Sequence, residues 1–309
     1  MRSIRLIFTV FCAALACATA AHASPSLQLL VLGSGDPGAT GRAGSAYLLL
    51  LDGKPRILVD AGPGSFARLG ESGESLSDTD IVLITHLHID HAAELPGLLK
   101  ARAVANSGPI SFEVWGPDGA AAHGQNAYFP STRRFMDALF GRQGAFAYLR
   151  DFAAPMNIEA HDIATHPASQ TDPRIIHQEP GLTISAIAGH HGDAPAVIYR
   201  VDYAGKSITF SGDIDAMGLA ALQRIAKGTD LLVFNTPVLD PPGSPAILYT
   251  LHTPPQKIGE LANAVGAHQL LLSHLSPATD QMHEAVLESI RHSYAGKVRA
   301  AEDGIRIQP

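Results

Sequence analysis

The sequence predicts an α/β (α+β) fold in which two β-sheets pack as a sandwich with helices on the outside. Short apolar runs separated by turn residues recur along the chain, as is typical of strands. Each half of the chain has several such runs, then a helical pattern, then a further buried run, which indicates two similar halves. The runs are too many and too hairpin-like for a TIM barrel, in which a helix follows every strand.

The first half contains five apolar runs of strand length, bounded by turn residues. A helix is predicted after the fourth run, from about Ala92 to Ala105. The predicted strands are LQLLVLGSG (Leu27–Gly35), SAYLLLL (Ser45–Leu51), RILVDAG (Arg56–Gly62), DIVLIT (Asp80–Thr85) and ISFEVWGP (Ile110–Pro117).

The pattern changes between about residues 120 and 170. The segment STRRFMDALFGRQGAFAYLRDF has helical spacing and is rich in aromatic residues and arginines. We interpret it as a helical cap inserted into a single domain, residues 24–309, and not as a second domain. Its arginines could contact an anion, although a solvated helix face explains them equally well: Arg133, Arg134, Arg142 and Arg150.

Strands resume after the cap with LTISAIAGHHG, AVIYRVDYAG, SITFSGD and DLLVFNTP. The segment TPPQKIGELANAVGA then predicts a helix with Thr253 as its N-cap and Pro254 at its first position. QLLLSHLSP predicts a further strand, and ATDQMHEAVLESIRHSY predicts the last helix.

The N-terminus is typical of a secretory signal peptide. Arg2 and Arg5 precede the apolar run LIFTVFCAALACATAA, which is too short to cross a bilayer comfortably, and AHAS offers a cleavage site after Ala23. We therefore expect residues 1–23 to be removed and the remaining chain to be secreted or periplasmic, without a membrane partner. The alternative is an N-terminal membrane anchor.

The amino-acid composition excludes some kinds of chemistry and disfavours one class of partner. The chain of 309 residues has a formal net charge of -7, and the signal peptide would take with it both cysteines, Cys12 and Cys17, and no acidic residue. A cysteine-free chain excludes disulfide and thiolate chemistry. An acidic surface disfavours nucleic acid as a partner, because nucleic-acid affinity depends on Lys and Arg side chains that neutralise phosphates. The sequence is compatible with a homodimer.

Four of the six residues in HLHIDH, which follows the fourth predicted strand, are of metal-binding types. Alternate residues at a strand end point the same way, so His86 and His88 could share one ion. Asp90 and His91 lie on the turn into the helix and face a different point. Imidazoles with carboxylates fit Zn²⁺, with Mn²⁺ or Fe²⁺ as alternatives. Three later strand ends offer further ligands: AGHHGD, TFSGDID and LLLSHLSP.

THLHIDH matches the HxHxDH signature of the metallo-β-lactamase-fold hydrolases, and the chain most resembles their ribonuclease Z and arylsulfatase-like branch. The resemblance extends from about Leu27 to Pro277 and includes LGSGDPGATGRAGSAYLL, ILVDAGPG, HGDAPAVIYRV, FSGD, HTP and SHLSP. It implies a four-layer αβ/βα sandwich of two mixed β-sheets. It also implies two bound divalent metal ions, with Zn²⁺ favoured.

The resemblance assigns a role to each candidate ligand. One metal would be held by His86, His88 and His191, the other by Asp90, His91 and His274, with Asp213 bridging both. Within the histidine doublet, the spacing to Tyr199-Arg200 favours His191 over His190, which would then lie beside the ligands or simply end the strand. Asp60 is expected to accept an imidazole N–H, or alternatively to stabilise the turn DAGPG.

Seven protein ligands around two ions leave coordination positions free, unlike a closed structural zinc site. A water that bridges the ions should lose a proton near neutral pH and attack an ester. Catalytic roles then fall on Asp90 and on His252, the expected proton donor to the leaving group; the alternative is that His252 simply begins a helix. Phe234-Asn235 stands where relatives often carry His-Glu, which suggests weaker support for His252 or a different substrate.

The sequence therefore predicts a secreted di-metal hydrolase of a small-molecule ester, with a phosphodiester or sulfate ester favoured. A lactonase is the nearer alternative, because lactonases share the bridging aspartate that zinc β-lactamases lack. A metal-binding homologue with little turnover would also fit Asn235. The sequence shows no Gly-Pro-rich arm of the kind that clamps tRNA, which argues against tRNA processing.

Overall fold

The structure, a computed structural model, describes residues 26–38, 41–122, 128–165 and 172–309. The predicted signal peptide, residues 1–23, lies outside these ranges. None of the helices within them combines the length and the hydropathy that crossing a bilayer requires.

The described ranges contain fourteen strands in two sheets of seven. The strands are β1 (Leu27–Gly33), β2 (Ala46–Leu51), β3 (Lys54–Val59), β4 (Ile81–Leu83), β5 (Ile110–Pro117), β6 (Met156–Ile163), β7 (Arg174–Glu179), β8 (Leu182–Ala188), β9 (Val197–Tyr203), β10 (Lys206–Phe210), β11 (Leu231–Asn235), β12 (Gln269–Ser273), β13 (Lys297–Ala300) and β14 (Arg306–Ile307).

Helices connect the strands on the outer faces. They are α1 (Ser65–Ser72), α2 (Ile89–Ala92), α3 (Leu95–Val104), α4 (Thr132–Phe140), α5 (Leu219–Ile225), α6 (Pro255–Val265), α7 (Pro277–Gln281) and α8 (His283–Arg291). Single 3₁₀ turns occupy Leu76–Asp78, Ala147–Asp151 and Ala246–Thr250.

Both sheets are mixed, and they repeat one plan. The first has the order β14-β1-β2-β3-β4-β5-β6, antiparallel from β14 to β3 and parallel from β3 to β6. The second has the order β13-β12-β11-β10-β9-β8-β7, antiparallel from β7 to β10 and parallel from β10 to β13. The predicted sandwich of two mixed sheets with helices outside is therefore confirmed.

Three apolar layers hold the sandwich together. Successive residues of a strand face opposite sides of its sheet, so Leu29 and Val31 of β1 pack between the two sheets whereas Leu30 and Leu32 pack against helices. Strands covered on both faces are apolar along their whole length, which explains the unbroken AYLLLL of β2. A third layer lies between the second sheet and helices α5, α6 and α8.

Two local predictions differ from the structure. The segment expected to be a helical cap does contain a helix, α4, but also the edge strand β6, and Met136 and Phe140 of α4 pack in the core over the first sheet. The predicted N-cap at Thr253 is wrong, because α6 begins at Pro255 after an N-cap at Pro254. The Thr253 hydroxyl instead donates to the carbonyl of Ile214 at 2.9 Å.

The sheets meet at the edge where their central strands end. The Tyr199 hydroxyl, on β9, donates to the carbonyl of Ile84 just after β4, at 3.0 Å. The amide of Val197 donates to the carbonyl of Thr85 at 2.8 Å. Because these bonds join the two sheets directly beside HLHIDH, the loops after several strands converge there.

Candidate metal centre

The first cluster of ring nitrogens comes from two separate loops. Nε2 of His86 lies 3.1 Å from Nδ1 of His88, and Nε2 of His191 lies 3.3 Å from the same Nδ1. Four-coordinate zinc with Zn–N bonds of about 2.0–2.1 Å has ligand atoms about 3.3 Å apart. The spacing of these three nitrogens is therefore that of one face of a tetrahedral metal site.

The second cluster lies beside the first. Nε2 of His274 is 2.9 Å from Oδ2 of Asp90, and Nε2 of His91 is 3.5 Å from the same oxygen. Asp90 and His91 belong to helix α2, whereas His274 follows β12 in the other sheet. Together with Asp213 these residues form a fully buried group that could hold a metal ion.

Asp213 lies between the two clusters. Its Oδ2 is 3.6 Å from Nε2 of His91 and 3.5 Å from Nε2 of His274 in the second cluster. The same oxygen is 3.6 Å from Nε2 of His191 and 3.7 Å from Nε2 of His86 in the first. One carboxylate oxygen thus faces both groups, as a bridging ligand must.

The other oxygen of this carboxylate is held by the residue that departs from the family pattern. Nδ2 of Asn235, at the end of β11, donates to Oδ1 of Asp213 at 2.7 Å. Both residues are buried. Asn235 therefore orients Asp213 and leaves Oδ2 free for the centre.

Asp60 holds two of the imidazoles in place. Its Oδ2 is 2.8 Å from Nδ1 of His91 and accepts from the Thr85 hydroxyl at 2.8 Å, while its Oδ1 accepts from the Thr85 amide. The Thr85 hydroxyl also lies 3.1 Å from Nδ1 of His86. Since the Thr85 hydroxyl donates its proton to Asp60, it accepts a hydrogen bond from Nδ1 of His86. The rings of His86 and His91 therefore both turn Nε2 towards the centre.

Two of these residues have a backbone conformation that side chains rarely adopt. Asp60 has φ 58° and His274 has φ 55°, both in the left-handed region. Such a conformation costs about 1–3 kcal/mol at each residue and persists only where surrounding contacts enforce it. Here it brings Asp60, at the end of β3, to Nδ1 of His91 and brings His274, at the end of β12, to Oδ2 of Asp90.

The histidine doublet divides its roles. Nδ1 of His191 is 2.8 Å from the carbonyl of Leu251, to which it donates, so that Nε2 faces His88. His190 points elsewhere, with Nδ1 2.7 Å from Oδ2 of Asp215. The Asp215 carboxylate also accepts from the backbone amide of Met217. Because His190 follows β8 and Asp215 follows β10, their contact joins these two loops.

His252 adjoins the centre from the second sheet. Its Nδ1 lies 3.9 Å from Oδ2 of Asp213, and it forms a further group of potential ligands with His191 and Asp213. Burial lowers the pKa of His252 to about 4, so the ring is neutral at neutral pH. A neutral imidazole still offers one ring N–H as a hydrogen-bond donor.

Two observations fit these residues to metal ions. In the described part of the chain, Nε2 of His91 and Nδ1 of His252 are buried without a hydrogen-bond partner. Burial alone would lower the pKa of His91, but the carboxylates of Asp60 and Asp213 outweigh it and raise that pKa well above its usual value. The carboxylates of Asp60 and Asp213 therefore favour positive charge at the position of His91.

Sequence reasoning missed several supporting residues. Thr85 directly precedes the metal-type cluster, and its place at a strand end was the signal that could have identified it. Asn235 was noted only as a departure, because its partner Asp213 is 22 positions away along the chain. Asp215 and the Leu251 carbonyl gave no sequence signal. The four cap arginines are exposed.

We expect Asp60→Ala to weaken metal binding by about 10–100-fold, because outer partners of metal-bound histidines contribute effects of this size. The substitution frees Nδ1 of His91 and removes the acceptor of the Thr85 amide. Competition against a chromophoric chelator measures the affinity. Asp52→Ala is a matched control, since Asp52 also has a positive φ but bonds to Tyr203 and Ser26. If the Asp60→Ala variant binds metal as tightly as the wild type, Asp60 serves only to stabilise the turn DAGPG.

Known proteins resemble this chain in sequence and in fold. The sequence-family model described as the β-lactamase superfamily domain matches residues 55–275 of this chain. Ribonuclease Z of Mycobacterium sp. (strain KMS) is 28% identical over 268 residues, which cover 84% of this chain and 87% of that protein. The predicted resemblance to the ribonuclease Z branch is confirmed.

Two solved structures share the fold. The metallo-β-lactamase fold protein YhfI from Bacillus subtilis has a TM-score of 0.67 and 18% identity, and the match covers 92% of this chain and 100% of that one. Human tRNase Z, short form, has a TM-score of 0.68 and 21% identity, and the match covers 91% of this chain and 98% of that one.

Proposed function

The chain belongs to the β-lactamase superfamily and is a metal-dependent hydrolase of ester bonds, and from this premise we propose that it cleaves a phosphodiester of a small molecule with a pair of divalent metal ions. The observation that carries the proposal is the position of Oδ2 of Asp213, within 3.5–3.7 Å of ring nitrogens from both clusters. A bridging carboxylate favours a closely spaced pair of ions. Such pairs clamp the attacking and leaving oxygens of a phosphoryl centre.

The proposed ligands divide into two sets. One ion would be held by His86, His88 and His191, the other by Asp90, His91 and His274, and both by Asp213. Imidazole nitrogens with two carboxylates match zinc, with manganese or iron as alternatives. When bound, the ions supply Lewis acidity and lower the pKa of water at the site towards neutrality.

The protein's own groups prepare the site. Asp60 and Thr85 fix the ring orientations of His86 and His91 before any substrate arrives. His252, neutral at neutral pH, is placed to donate a ring N–H to the oxygen of the leaving group. Preorganised donors of this kind act without reorganising during the reaction.

A small molecule is the proposed substrate even though the relatives named above are ribonucleases. The net charge of -7 gives no electrostatic attraction for a polynucleotide. Export after removal of residues 1–23, which we also propose, would separate the enzyme from tRNA precursors in the cytoplasm. A sulfate ester, a lactone and a β-lactam are the competing small substrates.

The test is a panel of substrates assayed with metal-loaded protein after chelator treatment: bis(p-nitrophenyl) phosphate, p-nitrophenyl sulfate, a γ-lactone, a cephalosporin and a tRNA precursor. We expect the highest kcat/KM for the phosphodiester, with activity lost on chelation and restored by zinc or manganese. A higher kcat/KM for any other member of the panel overturns the substrate assignment.

A further inference from the structure

An apolar cavity of about 640 Å³ opens beside the metal centre. This volume lies within the range of about 300–1,000 Å³ that is usual for small-molecule sites. The residues that line it come from the loop of HLHIDH, from α1, from α3 and from the cap segment, and they include Leu87, His88, Gly97, Phe135, Leu139 and Phe146.

His88 connects the cavity to the centre. It lines the cavity, and its Nδ1 lies 3.1 Å from Nε2 of His86 and 3.3 Å from Nε2 of His191. A substrate whose reacting group sits at the metal centre would therefore have the cavity open next to it. The cavity therefore adjoins the metal centre at His88.

Two charged side chains that line the cavity contact its aromatic residues or backbone. Nζ of Lys100 lies 4.2 Å from the ring centroid of Phe152 and 5.0 Å from that of Tyr148, and it donates to the Tyr148 hydroxyl at 3.1 Å. Oε2 of Glu94 accepts from the amide of Phe66 at 2.6 Å. Apart from Lys100 and Glu94, the side chains described as lining the cavity are apolar or aromatic, with His88 at the side of the metal centre.

Large apolar side chains are exposed around the opening. Ile89 is 73% exposed, Tyr148 54% and Phe66 50%, and all three line the cavity. Exposed apolar groups that gather in one place, and not singly, mark a binding surface. Their position beside His88 indicates that this surface serves the same ligand as the centre.

We propose that the cavity binds the apolar substituent of the substrate, so that the enzyme selects phosphodiesters carrying an alkyl chain or an aryl group. This inference rests on the proposed function, which places the phosphoryl group at the metal centre. The cap segment, through Phe135, Leu139 and Phe146, would then set the length and width of the group that fits.

Binding of n-alkylphosphonates to the zinc-loaded protein tests the proposal without requiring turnover. Each buried methylene group contributes about fourfold in affinity, so hexylphosphonate should bind about 10²–10³-fold more tightly than methylphosphonate by calorimetry. An affinity ratio near one, or no measurable binding of hexylphosphonate, overturns the proposal. Failure of the proposed function would appear separately, in the hydrolysis panel.

A substitution that fills the cavity localises the effect. A Cβ added at Gly97 would lie 3.5 Å from Cδ2 of Phe66, an ordinary contact, so Gly97→Leu should fold and place its side chain in the cavity. We expect it to reduce the hexyl-to-methyl ratio below about tenfold while methylphosphonate still binds. Val104→Leu is the control, because Val104 is on the same helix, is 64% exposed and does not line the cavity.

Two outcomes of the Gly97→Leu experiment would contradict the assignment. If the ratio is unchanged, the alkyl chain binds elsewhere. If the wild type shows no chain-length preference and Gly97→Leu changes the sedimentation coefficient, the cavity is covered by a second copy of the chain. Retention of the ratio in Val104→Leu and its loss in Gly97→Leu support the proposal.

Discussion

Asp213→Ala should abolish binuclear metal binding and lower kcat/KM for the best substrate by about 10³-fold or more, which corresponds to about 4 kcal/mol of transition-state stabilisation. Asp213 is the one side chain whose carboxylate faces both clusters among the described residues. Without it, the rings of His86 and His91 have no shared anionic partner at the centre. Elemental analysis and activity measured on the same preparation check both parts of the prediction.

Asp230→Asn is the matched control for Asp213→Ala. Asp230 is also a buried aspartate of the second sheet, but it precedes β11 and accepts from Lys206 and Ser207 at the opposite end of that strand. The control should retain two ions and full activity. Two bound ions in Asp213→Ala, or activity close to that of the control, would rule out the bridging role.

The two sheets were predictable because burial on both faces leaves a local signal. Strands such as β2 must be apolar at every position, and turns must separate them, so runs and turn residues give their positions. Pairings between distant segments leave no such signal. The pairing of β14 with β1 joins Ile307 to Leu29, and only the folded chain reveals it.

The convergence of the candidate metal ligands on one place was predictable for a similar reason. HLHIDH supplies four candidate ligands from one short segment, and the later ones stand directly after apolar strands. The doublet His190-His191 was ambiguous because the two histidines differ by only one position in their spacing to Tyr199-Arg200. What separates them is a contact with a distant loop, since His191 donates to the carbonyl of Leu251.

The supporting residues and the cavity could not be read from the sequence. Asn235 looked like the loss of an acidic residue, whereas its amide donates to Asp213, which an acid at this position could do only in its protonated form. The cavity depends on where the fold places Phe135 and Leu139 of α4 relative to α3. Helical spacing predicts an apolar face but not the element that the face contacts.

His252→Ala should lower kcat by about 10²–10³-fold, the range for a preorganised hydrogen-bond donor to a developing oxyanion, while both metal ions remain bound. The reason is the position of the ring, whose Nδ1 lies 3.9 Å from Oδ2 of Asp213 and has no hydrogen-bond partner among the described residues. Because burial lowers the pKa of His252 to about 4, the neutral ring would act through an N–H directed at the leaving oxygen.

The dependence on the leaving group separates this role from a structural one. A poor leaving group, such as an alkoxide, needs stabilisation of its oxygen far more than p-nitrophenolate does. His252→Ala should therefore lose much more activity towards an alkyl phosphodiester than towards a p-nitrophenyl one. An equal loss for both substrates, with two ions retained, would mean that His252 does not assist departure. Loss of a metal ion would instead assign His252 to the ligands with His191 and Asp213, a grouping that the geometry also allows.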